Sequence, residues 1–302
     1  MTATHEPGNC ASQIPAQQNQ PHHLERLRAY SRLYDIAARW RRLRIAGTVL
    51  LAVLGPTLAL LAVDTVGVLA AISAAWLVLG RAVLVPLETR AREQAVKVQE
   101  LFDTKLFGLT WNAAIAGDPP LADDIACAAR AMKDDPERFN DWYDVDLAGL
   151  TWPTDVAHCQ RQAMAWSRSD HRAYATTLAL TASSWAAIGI LIALTQQLSL
   201  AEYLVKLFLP TAPALLDTIE QQSAHRRHAT ERESHLSRMD ELIRDRCTST
   251  TTITEEQCRQ IQDSAYLLRC STPRVPGWFY RMRRQGVQGN TAAASQSLRT
   301  EE

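Results

Sequence analysis

The chain has 302 residues, with 32 basic side chains balanced by 32 acidic ones and 47% hydrophobic residues. Zero formal net charge gives no support to nucleic-acid binding, which wants a concentrated basic face. The average conceals a segregation into four nearly charge-free runs and a charge-rich remainder, which excludes an ordinary soluble protein.

Residues 1–21, with Pro7, Pro15 and Pro21 among Gln and Asn, are expected to be disordered. A basic juxtamembrane helix is expected over 22–45, with Arg39, Arg41, Arg42 and Arg44 suited to anionic headgroups. The apolar runs 46–63 and 65–79 form a first transmembrane hairpin within 46–87. At about 1.5 Å per residue such helices cross, or nearly cross, a hydrocarbon core of about 30 Å. Gly55-Pro56 predicts a kink in mid-span, because proline removes a backbone donor. Gly67, Ala70, Ala71 and Ala74 predict a small-residue packing seam on the second helix.

A cytoplasmic helical module is expected over 88–172. Val98, Leu101, Phe102 and Leu106 recur at helical spacing, a second helix fits 121–132, and a third begins near Thr154 and runs into the next span. The runs 173–195 and 198–219 make the second hairpin, 173–219. Cytoplasmic C-terminal helices are expected over 220–284, one of them opened by Thr254 with Glu255 and Glu256 and stopped by Pro273 and Pro276. Residues 285–302 read as a disordered tail.

Every basic flank (Arg81, Arg90 and Arg92; Arg161, Arg168 and Arg172; Arg226 and Arg227) lies at the same end of the spans. The hairpin tips, Asp64 and Gln196-Gln197, carry no Lys or Arg, so the positive-inside rule puts both termini and the middle module in the cytosol. No cleavable signal peptide is visible in the polar first 20 residues. The cysteines, Cys10, Cys127, Cys159, Cys247, Cys258 and Cys270, then face a reducing compartment. They include no CxxC pair, and no metal or cofactor is expected. The fold class is an all-α membrane protein of two transmembrane helical hairpins, four spans in all, with cytoplasmic helical modules.

Several residues stand out. Thr177, Thr181 and Ser184 form a polar stripe that either lines a water-filled path or bonds a neighbouring helix. Glu202 and Lys206 are either an in-span i,i+4 ion pair or the end of the outer loop. Pro210 and Pro213 mark the helix most suited to bending. Phe102-Asp103 and Trp111-Asn112 read either as a cytoplasmic switch surface or as a small aromatic core with Asp103 and Asn112 as caps. Cys159 has no placed base and reads as a buried structural thiol. His225, His228 and His235 read as solvated or headgroup-facing.

The order of short motifs adds a family. Gln99-Glu100-Leu101-Phe102-Asp103-Thr104 precedes Gly108-Leu109-Thr110-Trp111-Asn112, then Trp142-Tyr143, Cys159-Gln160-Arg161-Gln162, Trp166 and Arg172. After the fourth run come Arg259-Gln260-Ile261-Gln262-Asp263 and Val275-Pro276-Gly277-Trp278-Phe279-Tyr280. Wrapped around two apolar hairpins, this order resembles the SMODS-associated four-transmembrane effector family of bacteria over about 29–284. The chain departs from that pattern at Thr110, Ala163, Ser167 and Gly277.

The resemblance implies a pore-forming effector of a bacterial anti-phage conflict system, seated in the inner membrane. It also implies a homo-oligomer responding to a cyclic or linear oligonucleotide made by a neighbouring nucleotidyltransferase. Gln160, Arg161, Trp166 and Arg172 join Phe102, Asp103, Trp111 and Asn112 as its implied switch surface. The alternative is a non-conducting membrane-anchored regulatory or scaffolding subunit. With no P-loop, HExxH or GxSxG present, an enzyme is not expected.

Overall fold

Every regular element among the described residues is helical, as the long apolar runs and the 3.6-residue periodicity of the charged segments require. The structure, a computed structural model, describes residues 12–61, 66–248, 252–280 and 282–283. Its α-helices are α1 (Ile14–Gln17), α2 (Pro21–Leu60), α3 (Val66–Leu79), α4 (Val85–Phe107), α5 (Ala113–Ala116), α6 (Ala122–Arg130), α7 (Thr154–Thr195), α8 (Leu200–Tyr203), α9 (Leu209–Thr248) and α10 (Glu255–Ser271). The expected turn at Asp64 lies outside the described residues, as do the whole expected tail, 285–302, and residues 1–11.

Among the described residues three helices are long and apolar enough to cross a membrane: Pro21–Leu60, Ala71–Phe107 and Thr154–Thr195. The run 198–219 is not among them, because Glu202 and Lys206 interrupt it and α9 continues into a highly charged stretch.

The chain divides into two units, residues 36–90 with 172–227, and the remainder. Each crossing from one unit to the other falls within a helix: α2, α4, α7 or α9.

The first of these units carries the apolar runs. Leu50, Val53, Val78, Leu191 and Leu194 are all exposed, an arrangement suited to lipid and not to water. Its close packing differs from the expected seam. Ala71 and Ala74 are exposed, and the tight approach is made by Gly47, whose missing Cβ would sit 2.0 Å from the Trp76 ring. Trp76 then donates its Nε1 hydrogen to Thr48 Oγ1 at 3.3 Å. Gly55 similarly makes room for Pro210, at 2.8 Å from where a Cβ would lie, and α2 stays helical through Pro56.

Two wide π turns, Gly80–Leu84 and Leu204–Phe208, each end two residues before a proline, Pro86 and Pro210. A proline ring clashes with the carbonyl four residues back, here Ala82 and Lys206, and both lie inside the widened turns.

The second unit is built around a buried aromatic and aliphatic cluster that includes Leu27, Tyr30, Val96, Phe102, Phe107 and Phe139. Residues 12–20 belong to it, contrary to the disorder their composition suggests. Ile14 is buried, Ser12 donates to Asp155 Oδ2 at 2.6 Å, and Gln18 clasps the Tyr143 backbone. The Gln18 amide donates to Tyr143 O at 3.1 Å and its oxygen accepts from Tyr143 N at 2.8 Å. Gly-Leu-Thr-Trp occurs twice, at 108–111 and 149–152, and the two segments share a conformation at their start, with Gly108 and Gly149 at φ 68° and 76°. Their indoles donate to different carbonyls, Trp111 to Gly117 and Trp152 to Phe107.

Candidate functional site

Two polar helix stripes meet inside the second unit. On α4, Glu100 and Asp103 sit at i,i+3 on the face that also buries Phe107. On α10, Arg259, Gln262 and Arg269 share one face at spacings of three and seven. That helix starts where it does because Thr254 and Gln257 form a reciprocal capping box.

The contacts form one network. Arg259 Nη2 donates to Glu100 Oε1 and to Asp263 Oδ1, both at 2.7 Å. Gln262 Nε2 donates to Glu100 Oε2 at 2.7 Å and to Asp103 Oδ2 at 3.2 Å. Arg269 Nη1 donates to Asp103 Oδ2 at 2.7 Å, and the Tyr143 hydroxyl donates to Asp103 Oδ1 at 2.9 Å. Gln160 on α7 donates to Gln262 Oε1 at 3.1 Å and to Cys258 O at 2.9 Å. Asn112 donates to Asp263 Oδ2 at 2.9 Å, and Arg259 Nη1 donates to Thr110 O at 2.9 Å.

The electrostatics follow from burial. Glu100 and Asp103 are 2% and 1% exposed, and removing an ion from water costs several kcal/mol unless it is paired. Burial raises the Glu100 carboxyl above its ordinary value, against the opposing pull of Arg269 and Arg259. Burial disfavours the Arg269 charge, but Asp103, Tyr143 and Glu100 outweigh it and fix the guanidinium as a cation. Burial, and next the Asp103 charge, push the Tyr143 phenol well up, so it stays a donor. Arg232, close by, is lowered to about 10 by burial and then by the Arg269 charge. Beside the network lies a cavity of about 30 Å³ whose lining includes Gln160, Ser167, Arg232 and Arg269. A water needs about 10–15 Å³, so this space suits one or two waters and not an oligonucleotide. Ala163 and Ser167, two of the departures from the family pattern, line the same cavity.

The implied switch residues are therefore divided. Asp103, Asn112 and Gln160 join the network. Phe102 is fully buried in the core and presents no surface. Asn112 and Asp103 are not caps: Asn112 precedes α5 without a side-chain cap bond, and both side chains serve the network. Trp111 packs on the core, Arg161 pairs with Asp240 at 2.5 Å, and Trp166 is half-buried with its Nε1 unbonded among the described residues. Arg172 is exposed and belongs to the other unit. Glu100, Gln262, Arg259, Asp263 and Arg269 were not singled out. Their signal was the match of an acidic i,i+3 pair to an Arg-x-x-Gln stripe in two motifs far apart in sequence.

Cys159 is buried and its thiol is pushed well up by burial, which leaves it a poor nucleophile. His225 and His228 are not solvated. His225 stacks edge-on against Tyr174 at 4.9 Å and His228 Nδ1 lies 2.7 Å from Glu231.

In the apolar unit, Thr177 and Thr181 donate back to the carbonyls of Ala173 and Thr177 at 3.1 and 2.9 Å. Their hydroxyls are thus satisfied within α7, while Thr181 and Ser184 stay exposed. Glu202 closes a capping box with Ser199 and accepts from Lys206 at 3.0 Å, so the pair sits at a helix start. Pro210 lies half-buried against Gly55, and Pro213 is exposed.

No solved structure matches the chain. A probable CBASS effector molecule of Bacillus cereus (strain VD146) is 24% identical over 279 residues, covering 89% of this chain and 92% of its own. The SMODS-associating 4TM effector domain matches residues 12–298, nearly the whole length, so this chain belongs to the family of membrane effectors that domain defines.

Proposed function

We propose that the protein is a CBASS effector of anti-phage defence that disrupts the inner membrane by forming a pore. Four spans, with 198–219 as the fourth, place both termini and the network-bearing unit in the cytosol. The observation that carries the reading is the exposure of the spans: in the most apolar window of α7 no residue is buried. Such a surface needs lipid or other copies of the chain, and four helices of one subunit enclose no wide channel. Oligomerisation follows, with the stripe Thr177, Thr181 and Ser184 and the pair Glu202 and Lys206 as pore-lining groups, and Pro210 and Pro213 as the bend.

The trigger is a cyclic or linear oligonucleotide from a SMODS nucleotidyltransferase. A cavity of about 30 Å³ leaves it no room in the resting arrangement. The messenger therefore binds a rearranged network more tightly than the closed one, which is the only way it can shift the equilibrium. The effector works without catalysis. The relative in Bacillus cereus, whose name is that of a probable CBASS effector molecule, supports the assignment.

The test is dye release from liposomes holding the purified protein, with and without a panel of cyclic and linear oligonucleotides. Release driven by one member supports the reading. Saturable binding of a messenger with no release assigns the protein instead to a non-conducting, membrane-anchored regulatory role.

A further inference from the structure

A second cavity, of about 260 Å³, opens within the apolar unit between the middle of α2, the end of α3 with the π turn after it, and the start of α9. It approaches the roughly 300 Å³ at which small-molecule sites begin, and far exceeds the space beside the ion network. Trp76, Leu77 and Leu216 supply apolar walls, and Arg44, Arg81, Asp217 and Glu220 supply the charge. Two guanidinium groups thus face two carboxylates around one opening.

The two ion pairs are unequal. Arg44 is well engaged: its Nη1 donates to both Asp217 oxygens at 3.0 and 3.2 Å, and Nη2 lies 3.9 Å from Glu88. Arg81 and Glu220 stand 3.8 Å apart with side chains 67% and 66% exposed. That separation is an ion pair but too long for a hydrogen bond, so donors on one side and acceptors on the other remain available.

We propose that this cavity binds a zwitterionic aminophospholipid, its phosphate on Arg81, its ammonium on Glu220, and an acyl chain along Leu77 and Leu216. The charge balance selects the headgroup. A purely anionic lipid would bring its phosphate against Asp217 and Glu220 with no positive charge to offer them, and it would have to compete for an Arg44 already bonded. A primary ammonium brings three N–H donors to the Glu220 carboxylate, whereas a choline headgroup brings none. The depth fits as well, since positively charged flanks of spans lie among headgroups. The site is independent of the pore reading, and a scaffold would carry it equally.

The experiment is native mass spectrometry of the full-length protein, delipidated in detergent and offered dioleoyl phosphatidylethanolamine, phosphatidylglycerol and phosphatidylcholine at equal concentration. Retention of the ethanolamine lipid about tenfold over the other two is expected, on the scale of one or two charge-assisted hydrogen bonds. Glu220→Gln alters an exposed side chain and should reduce that preference to the level of the choline lipid, whereas Arg81→Gln should lower retention of all three lipids, with the helical circular dichroism unchanged in both. Equal retention of all three lipids overturns the proposal, as does a preference for phosphatidylglycerol or selectivity that survives Glu220→Gln. A stable dimer that takes up no lipid also overturns it, and assigns the cavity to a second copy of the chain.

Discussion

Arg269 holds Asp103 across 2.7 Å, joining α10 to α4 between residues 166 apart in sequence. Asp103 is 1% exposed and the Arg269 side chain 16%, and against the cost of burial Asp103 is the main partner that keeps the guanidinium charged. Arg269→Met therefore leaves an uncompensated buried carboxylate and should cost about 3–5 kcal/mol. Asp103→Leu combined with Arg269→Met should cost less than the two single changes added together, because the pair leaves as a unit. Thermal unfolding of the detergent-solubilised protein, followed by circular dichroism, measures both.

The hub amide is a separate test. Gln262→Leu removes the donor shared by Glu100 and Asp103 and the acceptor used by Gln160. An unsatisfied buried polar group costs about 1–3 kcal/mol, so the unfolding midpoint should fall by less than for Arg269→Met. Gln262→Glu should be worse than Leu, since it adds a third carboxylate beside two others.

Asp170 gives the pH dependence. Burial raises its carboxyl to about 6, although Arg283 at 3.0 Å opposes the shift. The folded protein then holds the proton more tightly than the unfolded chain does. This contribution is complete below about 3.8 and is lost as pH rises through about 6, so stability declines across that window. Asp170→Asn keeps an acceptor for Arg283 and should flatten the decline, read as the difference in unfolding midpoint between pH 5 and pH 7.5.

Gly47 is replaceable only at a cost to Trp76. A Cβ there would lie 2.0 Å from the indole, so Gly47→Ala must displace the ring and its bond to Thr48. Overpacking of this kind costs about 1–3 kcal/mol. Pairing it with Trp76→Leu should recover part of the loss in the same unfolding measurement.

Under the pore reading, Thr181→Leu and Lys206→Leu should each change messenger-driven conductance in planar bilayers while leaving assembly intact. Unchanged conductance in both variants removes these residues from the pore wall.

What was legible in the sequence is what local chemistry decides. The apolar runs, the start of α7 at Thr154 and the cap at Thr254 all follow from residues within a few positions of each other. The network was not legible, because Glu100 meets Arg259 across 159 residues and no periodicity of either helix specifies its partner. For the same reason Gln18 was misjudged: a Gln-rich stretch looks unstructured until the Tyr143 backbone, 125 residues away, supplies its partner. His225 misled in the opposite direction, since charged neighbours concealed an aromatic partner, Tyr174, on another helix.

The Gln18 clasp has a practical side for anyone handling the protein. Trimming to the start of α2 would strip a peptide from the loop around Tyr143 and uncover Ile14's niche. Versions shortened at that end should therefore be compared with the untrimmed chain for thermal stability before any change is blamed on the membrane.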